Sequence, residues 1–191
     1  MKIGYSVEGS TDRAVLEGLR QRWCPQAQLV EGHFRGMTDL SRRREIPKIC
    51  VELQAKGVDC VIFLTDSNGP EWRPILNAER NRCPPEHEHL TIFGVCLRNV
   101  ESWLSADPDH IANQFGRPRH EFTVEDPKGV VEAAFGITRD DKRETEIAEY
   151  VRNAPLRRWL TNPSFEHFYN SVRQKSLQIG CELENLRKTE F

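Results

Sequence analysis

Acidic side chains follow three of the four strands that the sequence predicts, close to the point where each strand ends. The first, third and fourth strands are followed, in turn, by Glu8, by Asp66 with Asn68, and by Glu101 with Asp107. Because the carboxyl ends of parallel strands meet at one edge of a sheet, we expect these side chains to converge. Magnesium prefers hard oxygen ligands and keeps several of its waters, so two or three carboxylates are sufficient to hold it. The spacing therefore predicts a Mg²⁺ or Mn²⁺ site formed by Glu8, Asp66, Asn68 and Glu101.

Each of these acids also has a plainer explanation. Glu8 is compatible with a residue in the first turn of a helix, Asp66 with a turn at a strand end, and Glu101 with a carboxylate near a helix N-terminus. Their shared placement at one predicted edge is what favours a site over three unrelated surface acids. An ion held there would lower the pKa of a bound water and neutralise the charge that builds on a phosphodiester during hydrolysis.

Basic side chains offer two further candidates. Lys128 lies just after Asp126, a candidate helix N-cap, and its point charge suits a pentacovalent phosphate. The alternative is a solvated lysine at a helix start. The densest basic run contains Arg42, Arg43, Arg44 and Lys48, and it is compatible with a contact to a nucleic-acid backbone or with a solvated helix face.

The elements that would position these residues alternate between strand and helix. Strands are predicted over residues 3–7, 28–34, 58–65 and 90–97, and helices over residues 12–22, 38–56 and 71–82. This order predicts an α/β fold, a Rossmann-like and mostly parallel four-stranded sheet flanked by helices. Prolines punctuate short polar helices after residue 100, which predicts a helical C-terminal extension. We expect one domain over residues 1–191, with a core over about 1–115 and an extension over about 116–191.

Composition is that of an ordinary globular protein, with 38% hydrophobic and 29% charged residues. The net charge of −2 argues against a protein that coats nucleic acid by neutralising phosphates, but it permits a transient contact mediated by a metal. No stretch approaches the roughly 18 apolar residues of a membrane span, and no signal-peptide core follows the N-terminus, so a cytoplasmic protein is expected. The six cysteines have no C-x-x-C spacing, which argues against structural zinc, and Cys60 and Cys96 are expected to lie in buried strands.

Several segments resemble a known family. Residues 7–12 resemble the first motif of Toprim-fold enzymes, and residues 62–68 resemble the strand that carries the Toprim Asp-x-Asp motif. Residues 100–107, 126–128 and 162–168 resemble a bacterial Toprim-like family of unknown function, which is related to the nuclease domains of overcoming-lysogenization-defect (OLD) proteins. The resemblance extends over nearly the whole chain.

The resemblance implies a Toprim-like fold and a Mg²⁺- or Mn²⁺-dependent nuclease, with DNA favoured over RNA as the substrate and a separate ATPase as a partner in phage defence or a mobile element. It also implies that Glu8 is the general acid/base or a metal ligand, that Asp66 is the principal metal ligand, and that Glu101 is an additional acid. Two alternatives come from other classes. One is a catalytically degenerate interaction subunit of an ATPase-containing complex, and the other is a phosphoacceptor domain like a response regulator.

One position departs from the Toprim pattern. Asn68 stands where the second aspartate of the motif is expected, and its amide oxygen is a ligand without charge. Three consequences are compatible with this departure: weakened catalysis, replacement of the missing carboxylate by Glu101 or Asp107, and a site kept only for binding.

Overall fold

The computed structural model of the chain describes residues 1–32, 39–121, 125–137 and 143–187, and for residues 39–43 and 121 it describes the backbone only. Four strands form one parallel sheet in the order β2-β1-β3-β4. The strands are β1 (Lys2–Ser6), β2 (Gln28–Glu31), β3 (Cys60–Asp66) and β4 (Thr91–Cys96). The predicted α/β class, with a Rossmann-like parallel sheet flanked by helices, is confirmed.

Ten α-helices lie within the described residues, in addition to a 3₁₀ turn at Arg119–Glu121. They are α1 (Ser10–Trp23), α2 (Asp39–Ala55), α3 (Trp72–Arg80), α4 (Pro85–Glu88), α5 (Glu101–Leu104), α6 (Pro108–Phe115), α7 (Pro127–Phe135), α8 (Glu144–Asn153), α9 (Leu156–Trp159) and α10 (Pro163–Ile179).

The central strands are apolar on both faces because both faces are covered. In β3 every residue from Cys60 to Thr65 is buried, and the same holds for all of β4. Alternate side chains of β3 enter two separate hydrophobic clusters, with Ile62 and Leu64 in one and Val61 and Phe63 in the other. This continuous apolar pattern is typical of a parallel strand between two helical layers.

Each helical layer is built from a stripe of apolar side chains. On one face of the sheet, α2 and α3 contribute a cluster of Ile46, Ile49, Cys50, Leu53, Trp72 and Leu76. On the other face lie α1 and the helices from α5 to α10, which share a single larger cluster. The predicted helical C-terminal extension therefore packs on the same core as α1.

Several element boundaries differ from the prediction. The strand predicted over residues 28–34 ends at Glu31, and residues 33–34 lie outside the described residues. Helix α2 continues through Pro47, although proline cannot donate the hydrogen bond of its turn. Helix α1 begins at Ser10, two residues before its predicted start, and its N-cap is Gly9, whose amide donates to the Asp12 carboxylate at 2.8 Å.

A disulfide joins the end of α1 to the segment that follows α10. Cys24 and Cys181 lie 157 residues apart in sequence, with their Cα atoms 5.1 Å apart. Closing a loop of this length restricts the unfolded chain and typically stabilises a protein by about 2–4 kcal/mol. The spacing of the cysteines did not indicate this pair. Cys60 and Cys96 are buried free thiols, as expected.

No helix among the described residues is both long enough and apolar enough to cross a membrane.

Helices α1 and α8 approach closely at Gly18, and this contact gives a prediction. A Cβ atom at Gly18 would lie 2.5 Å from the Ala148 carbonyl oxygen and 2.6 Å from the Val151 Cβ atom. Helix propensity alone would make Gly18→Ala stabilising by about 1 kcal/mol. We expect the opposite sign, a loss of about 1–3 kcal/mol in the free energy of unfolding, because backbone atoms must move.

Urea denaturation of the variant measures this effect. Gly69→Ala is the matched control, since the added methyl group would approach nothing closer than the Ser67 carbonyl oxygen at 4.0 Å. An unchanged or raised stability of Gly18→Ala would show that the two helices do not meet in this way.

Candidate active site

The topology of the sheet marks one crevice as the place for a site. From β1 the chain crosses to β2 through α1 on one face, and from β2 it crosses to β3 through α2 on the other face. The carboxyl ends of β1 and β3 therefore flank the point at which the direction of winding reverses. In open parallel sheets ligands bind at such a point. Glu8 follows β1 and Asp66 ends β3, so both candidate acids lie at this crevice.

Backbone amides hold the candidate acids in position. The amide of Asp66 donates a hydrogen bond to Glu8 Oε1 at 3.2 Å, which joins the two sides of the crevice. The amide of Val100, at the start of α5, donates to Asp66 Oδ1 at 3.0 Å. The carboxylate of Asp66 is thereby fixed by the residue that directly precedes Glu101.

These acids line a common pocket of about 460 Å³. Its acidic members are Glu8, Asp12, Asp66, Glu101 and Glu132. The remaining lining residues are Gly9, Ser10, Thr11, Val100, Lys128 and Ile137. Of the residues proposed from sequence, the structure brings Glu8, Asp66, Glu101 and Lys128 together.

Negative charge dominates the electrostatics of the pocket. Burial first, and then the nearby carboxylates of Asp12, Glu8 and Glu101, raise the pKa of Asp66 to about 9, against the opposing effect of the Val100 amide. The pKa of the buried Cys96 thiol is also raised, by burial first and then by the same carboxylates. Asp66 therefore carries a proton at neutral pH unless a cation enters the pocket.

Glu101 has a distinct environment on the other side of the pocket. Its side chain is buried, and burial raises its pKa, whereas its own backbone amide and Lys128 lower it. Glu132 adds a smaller upward shift of the same pKa. Lys128 itself is exposed on the first turn of α7, whose N-cap Asp126 accepts the Gly129 amide at 3.0 Å. Lys128 is thus the basic side chain among the residues that line the pocket.

Asn68 and Asp107 are placed elsewhere. Among the described residues that line the pocket, neither appears. Asn68 has a left-handed backbone with φ of 54°, a conformation that asparagine tolerates better than most residues. Its backbone amide donates to the Arg98 carbonyl at 2.7 Å. Asp107 caps α6, where its Oδ1 accepts the His110 amide at 3.1 Å. Asn68, which stands where the Toprim motif has its second aspartate, is therefore a turn residue. Asp107, which was considered as a replacement carboxylate, is a helix cap.

Reciprocal backbone contacts fasten the loop after β3 to the loop after β4. Arg98 also has a left-handed backbone, with φ of 65°, and its amide donates to the Gly69 carbonyl at 3.0 Å and to Ser67 Oγ at 2.8 Å. The Asn68 amide bonds back to Arg98. Because these two loops carry Asp66 and Glu101, their mutual attachment sets the separation of the two acids.

Ser164 connects residues 100–107 and residues 162–168, two segments to which the sequence alone assigns no structural role. Its Oγ accepts hydrogen bonds from the Leu97 amide at 2.9 Å and from Trp103 Nε1 at 2.8 Å, and it donates to Asn162 Oδ1 at 2.8 Å. The ring of Trp103 also meets Phe165 edge-on, with centroids 5.3 Å apart. Helix α10 therefore holds both the end of β4 and the short helix that begins with Glu101.

Asp12 and Glu132 are the pocket acids that sequence analysis missed. Asp12 is the last residue of the first motif, and it occupies the same helical face as Val15, Leu16 and Leu19, which are all buried. An acid on the apolar face of a helix next to a candidate site is a signal that can be read from sequence. Glu132 lies on α7 and carries no comparable signal.

The donor set fits a hard divalent cation chemically. Several carboxylates line one pocket, and burial together with these carboxylates raises the pKa of Asp66. Within the described residues, however, no three His, Cys, Asp or Glu side chains are arranged so that they could hold a metal ion. The arrangement thus fits an ion that takes one or two carboxylates and keeps its waters, which is the usual habit of magnesium.

Comparisons with known proteins add no identification, because no protein-family model, curated protein or solved structure matches the chain.

The raised pKa of Asp66 predicts how stability depends on pH in the absence of metal. Between pH 3.8 and about 9 the folded protein retains a proton that the unfolded chain releases, so stability falls as the pH rises through this range. Asp66→Asn removes the ionisable group and keeps an oxygen for the Val100 amide. In EDTA we expect the stability of this variant relative to the wild type to increase by about 4 kcal/mol between pH 5 and pH 8.

Urea denaturation at the two pH values tests this expectation. Asp109→Asn is the matched control, because Asp109 is 69% exposed and its ion pair with Arg119 lies on the surface. A stability difference for Asp66→Asn that is the same at both pH values would refute the raised pKa of Asp66.

From the contacts of Ser164 we expect that its replacement by alanine lowers the free energy of unfolding by more than an ordinary serine-to-alanine change does. Ser164→Ala leaves the Leu97 amide and the Trp103 indole without their acceptor, and Trp103 is fully buried. Each unsatisfied buried group costs about 1–3 kcal/mol. Ser171→Ala on the same helix is the control, since Ser171 Oγ donates only to the His167 carbonyl of its own helix. In chemical denaturation the free energy of unfolding of Ser164→Ala should be well below that of Ser171→Ala. Equal losses of stability in the two variants would contradict the role of Ser164.

Proposed function

We propose that the chain is a divalent-metal-dependent nuclease that hydrolyses phosphodiester bonds, with DNA favoured over RNA. The observation that carries this proposal is the group of carboxylates around Asp66, whose pKa is raised to about 9. Acids gathered at the functional edge of a parallel sheet, at a cost in electrostatic energy, are typical of a site that binds a cation. The proposal agrees with the resemblance to the Toprim fold, which stays a prediction.

In this proposal Asp66 is the principal ligand of a Mg²⁺ or Mn²⁺ ion, and Glu8 and Glu101 flank it. When bound, such an ion supplies a more acidic water and neutralises charge on the phosphate. Glu8 is the exposed acid of the pocket, which suits proton exchange with solvent during bond cleavage. Lys128 is also exposed at the pocket and would stabilise the additional negative charge on the phosphate in the transition state.

Cleavage assays test this proposal directly. Supercoiled plasmid, single-stranded DNA and RNA are incubated with Mg²⁺, Mn²⁺ or EDTA, and the wild type is compared with Glu8→Gln, Asp66→Asn and Lys128→Gln. We expect metal-dependent cleavage, faster on DNA, with a loss of about 10²-fold or more in kcat for each variant. Because Lys128 acts on charge that develops in the transition state, its variant should lower kcat more than it raises KM.

The matched controls are Glu182→Gln and Asp109→Asn, which make the same chemical changes at exposed positions outside the pocket. They should cleave as the wild type does. Thermal denaturation of every variant separates a lost reaction from a lost fold. Cleavage that persists in EDTA, or that survives both Glu8→Gln and Asp66→Asn, would contradict the proposal.

A second candidate is a catalytically degenerate subunit that binds an ATPase partner inside the cell. One observation favours it: Asn68, which stands where the second Toprim aspartate is expected, carries no charge and belongs to a turn of the backbone. Calorimetric titration with Mg²⁺ and Mn²⁺ separates the two functions. A nuclease must bind metal through Asp66, whereas a chain that binds neither ion at millimolar concentration and cuts no nucleic acid fits the subunit.

A further inference from the structure

A cationic cluster lies where α3 meets α10, outside the carboxylate pocket. The rings of Trp72 and His167 are 5.5 Å apart, and the Arg80 guanidinium lies 3.1 Å from His167 Nε2. The guanidinium carbon of Arg73 lies 5.3 Å from the centre of the Trp72 ring. Both arginines are exposed, although the tryptophan beneath them is buried. Their charges are therefore directed to solvent from a rigid support.

The two arginines have no acidic partner among the described residues. Arg73 contacts an indole and Arg80 contacts an imidazole. The one acid of α3 is Glu79, which is buried and accepts a hydrogen bond from Thr65 at 2.8 Å. The pKa of His167 is lowered by burial and then by Arg80 and Arg73, so at neutral pH the ring adds no charge of its own.

Arg73 and Arg80 differ in this respect from the arginines whose charge is neutralised locally. Seven arginines in the described residues form an ion pair with a carboxylate, namely Arg13, Arg20, Arg22, Arg119, Arg143, Arg152 and Arg187. Arg73 and Arg80 are available to an anionic ligand.

A third arginine connects this cluster to the carboxylate pocket. The backbone of Arg98 is bonded to Asn68 and Gly69, in the loop that leads into α3 and Arg73. The Arg98 side chain is exposed, and its Nη1 donates to the Glu125 carbonyl at 3.3 Å, just before the N-cap of α7. Helix α7 carries Lys128 into the pocket. Exposed cations therefore occur on consecutive connected elements, from the pocket to the far end of α3.

We propose that Arg98, Arg73 and Arg80 form a track that binds the sugar-phosphate backbone of a nucleic-acid strand. The proposal rests on the proposed function, since it assigns the binding surface for the strand whose scissile phosphate enters the carboxylate pocket. A guanidinium group suits this role because its planar donors match the oxygens of a phosphate. Contacts to phosphates position a strand without reading its bases, so the track would bind many sequences.

The surroundings of the track favour nucleic acid over an acidic protein. Protein interfaces usually have an apolar core inside a polar rim. The large exposed apolar side chains among the described residues are Val51 on α2 and Leu177 near the end of α10, and neither lies on α3 or in the loops that carry Arg98. A row of separate positive charges without an apolar centre matches the regular spacing of phosphates instead.

Binding assays without metal test the track apart from cleavage. The full chain is titrated in EDTA with labelled duplex DNA, single-stranded DNA and RNA over a series of salt concentrations. Each phosphate contact to duplex DNA contributes about 0.9 to the slope of log K against log salt concentration. For Arg73→Gln with Arg80→Gln we expect the slope to become shallower by about 2. Arg73→Lys with Arg80→Lys should retain most of the wild-type slope, because the charges remain.

The control is Lys2→Gln with Lys56→Gln, which removes two exposed charges at the amino ends of the strands, where Lys2 begins β1. This variant should bind as the wild type does. The proposed track is contradicted if the arginine variant keeps the wild-type salt slope, or if the slope of the control variant becomes equally shallow. It is also contradicted if the wild type binds none of the nucleic acids at low salt. Equal binding of poly-glutamate would assign the surface to acidic proteins and would also overturn the proposal.

The outcomes separate the track from the nuclease. Binding that depends on Arg73 and Arg80, without cleavage in Mg²⁺ or Mn²⁺, would support the track and refute the nuclease. Cleavage that depends on Glu8 and Asp66, with an unchanged KM and salt slope in the arginine variant, would support the nuclease and refute the track.

Discussion

The burial of Asp66 among other acids, at the crevice between β1 and β3, is the constraint on which the rest of the structure depends. Burial first, and then the carboxylates of Asp12, Glu8 and Glu101, raise the pKa of Asp66 to about 9. Two unit charges 4 Å apart interact by about 4 kcal/mol at the effective dielectric constant of a protein surface. Folding could relieve this energy by spreading the acids apart. Instead, backbone amides of Gly9, Asp66 and Val100 hold the acids in place, which indicates that the arrangement serves a ligand.

The support for this arrangement comes from distant parts of the chain. The loops after β3 and β4 are fastened to one another through Asn68 and Arg98, both in left-handed conformations that store some strain. Ser164, at the start of α10, then holds the end of β4 and the indole of Trp103. Consequently the C-terminal helices belong to the architecture of the site, because they fix the short helix that begins with Glu101.

A feature of the structure could be predicted from the sequence when its signal lies within a short stretch of neighbouring residues. The apolar runs of β3 and β4 and the stripe of Ile46, Ile49, Cys50 and Leu53 on α2 gave the layers correctly, because burial on both faces or on one face imposes a pattern on neighbouring residues. The convergence of Glu8, Asp66 and Glu101 followed from the topology of parallel strands.

Features that depend on tertiary contacts could not be read in the same way. Cys24 and Cys181 are joined across 157 residues, and no local pattern connects them. Asn68 was read as a metal ligand from its place in a motif, whereas its position in the structure is decided by a backbone turn with positive φ. Glu132 enters the pocket only because α7 packs beside α5, a contact that no periodicity reports.

The distribution of charge, rather than its total, connects the two proposals. With a net charge of −2, the chain as a whole does not attract a polyanion, and its carboxylate pocket repels a phosphate. A strand can approach where cations are not already paired with acids, and Arg73 and Arg80 on α3 are such cations in the described part of the chain. A divalent ion in the pocket would then convert local repulsion of the phosphate into attraction. Under the two proposals, separate sites for the strand and for the ion would resolve the conflict between an acidic pocket and an anionic substrate.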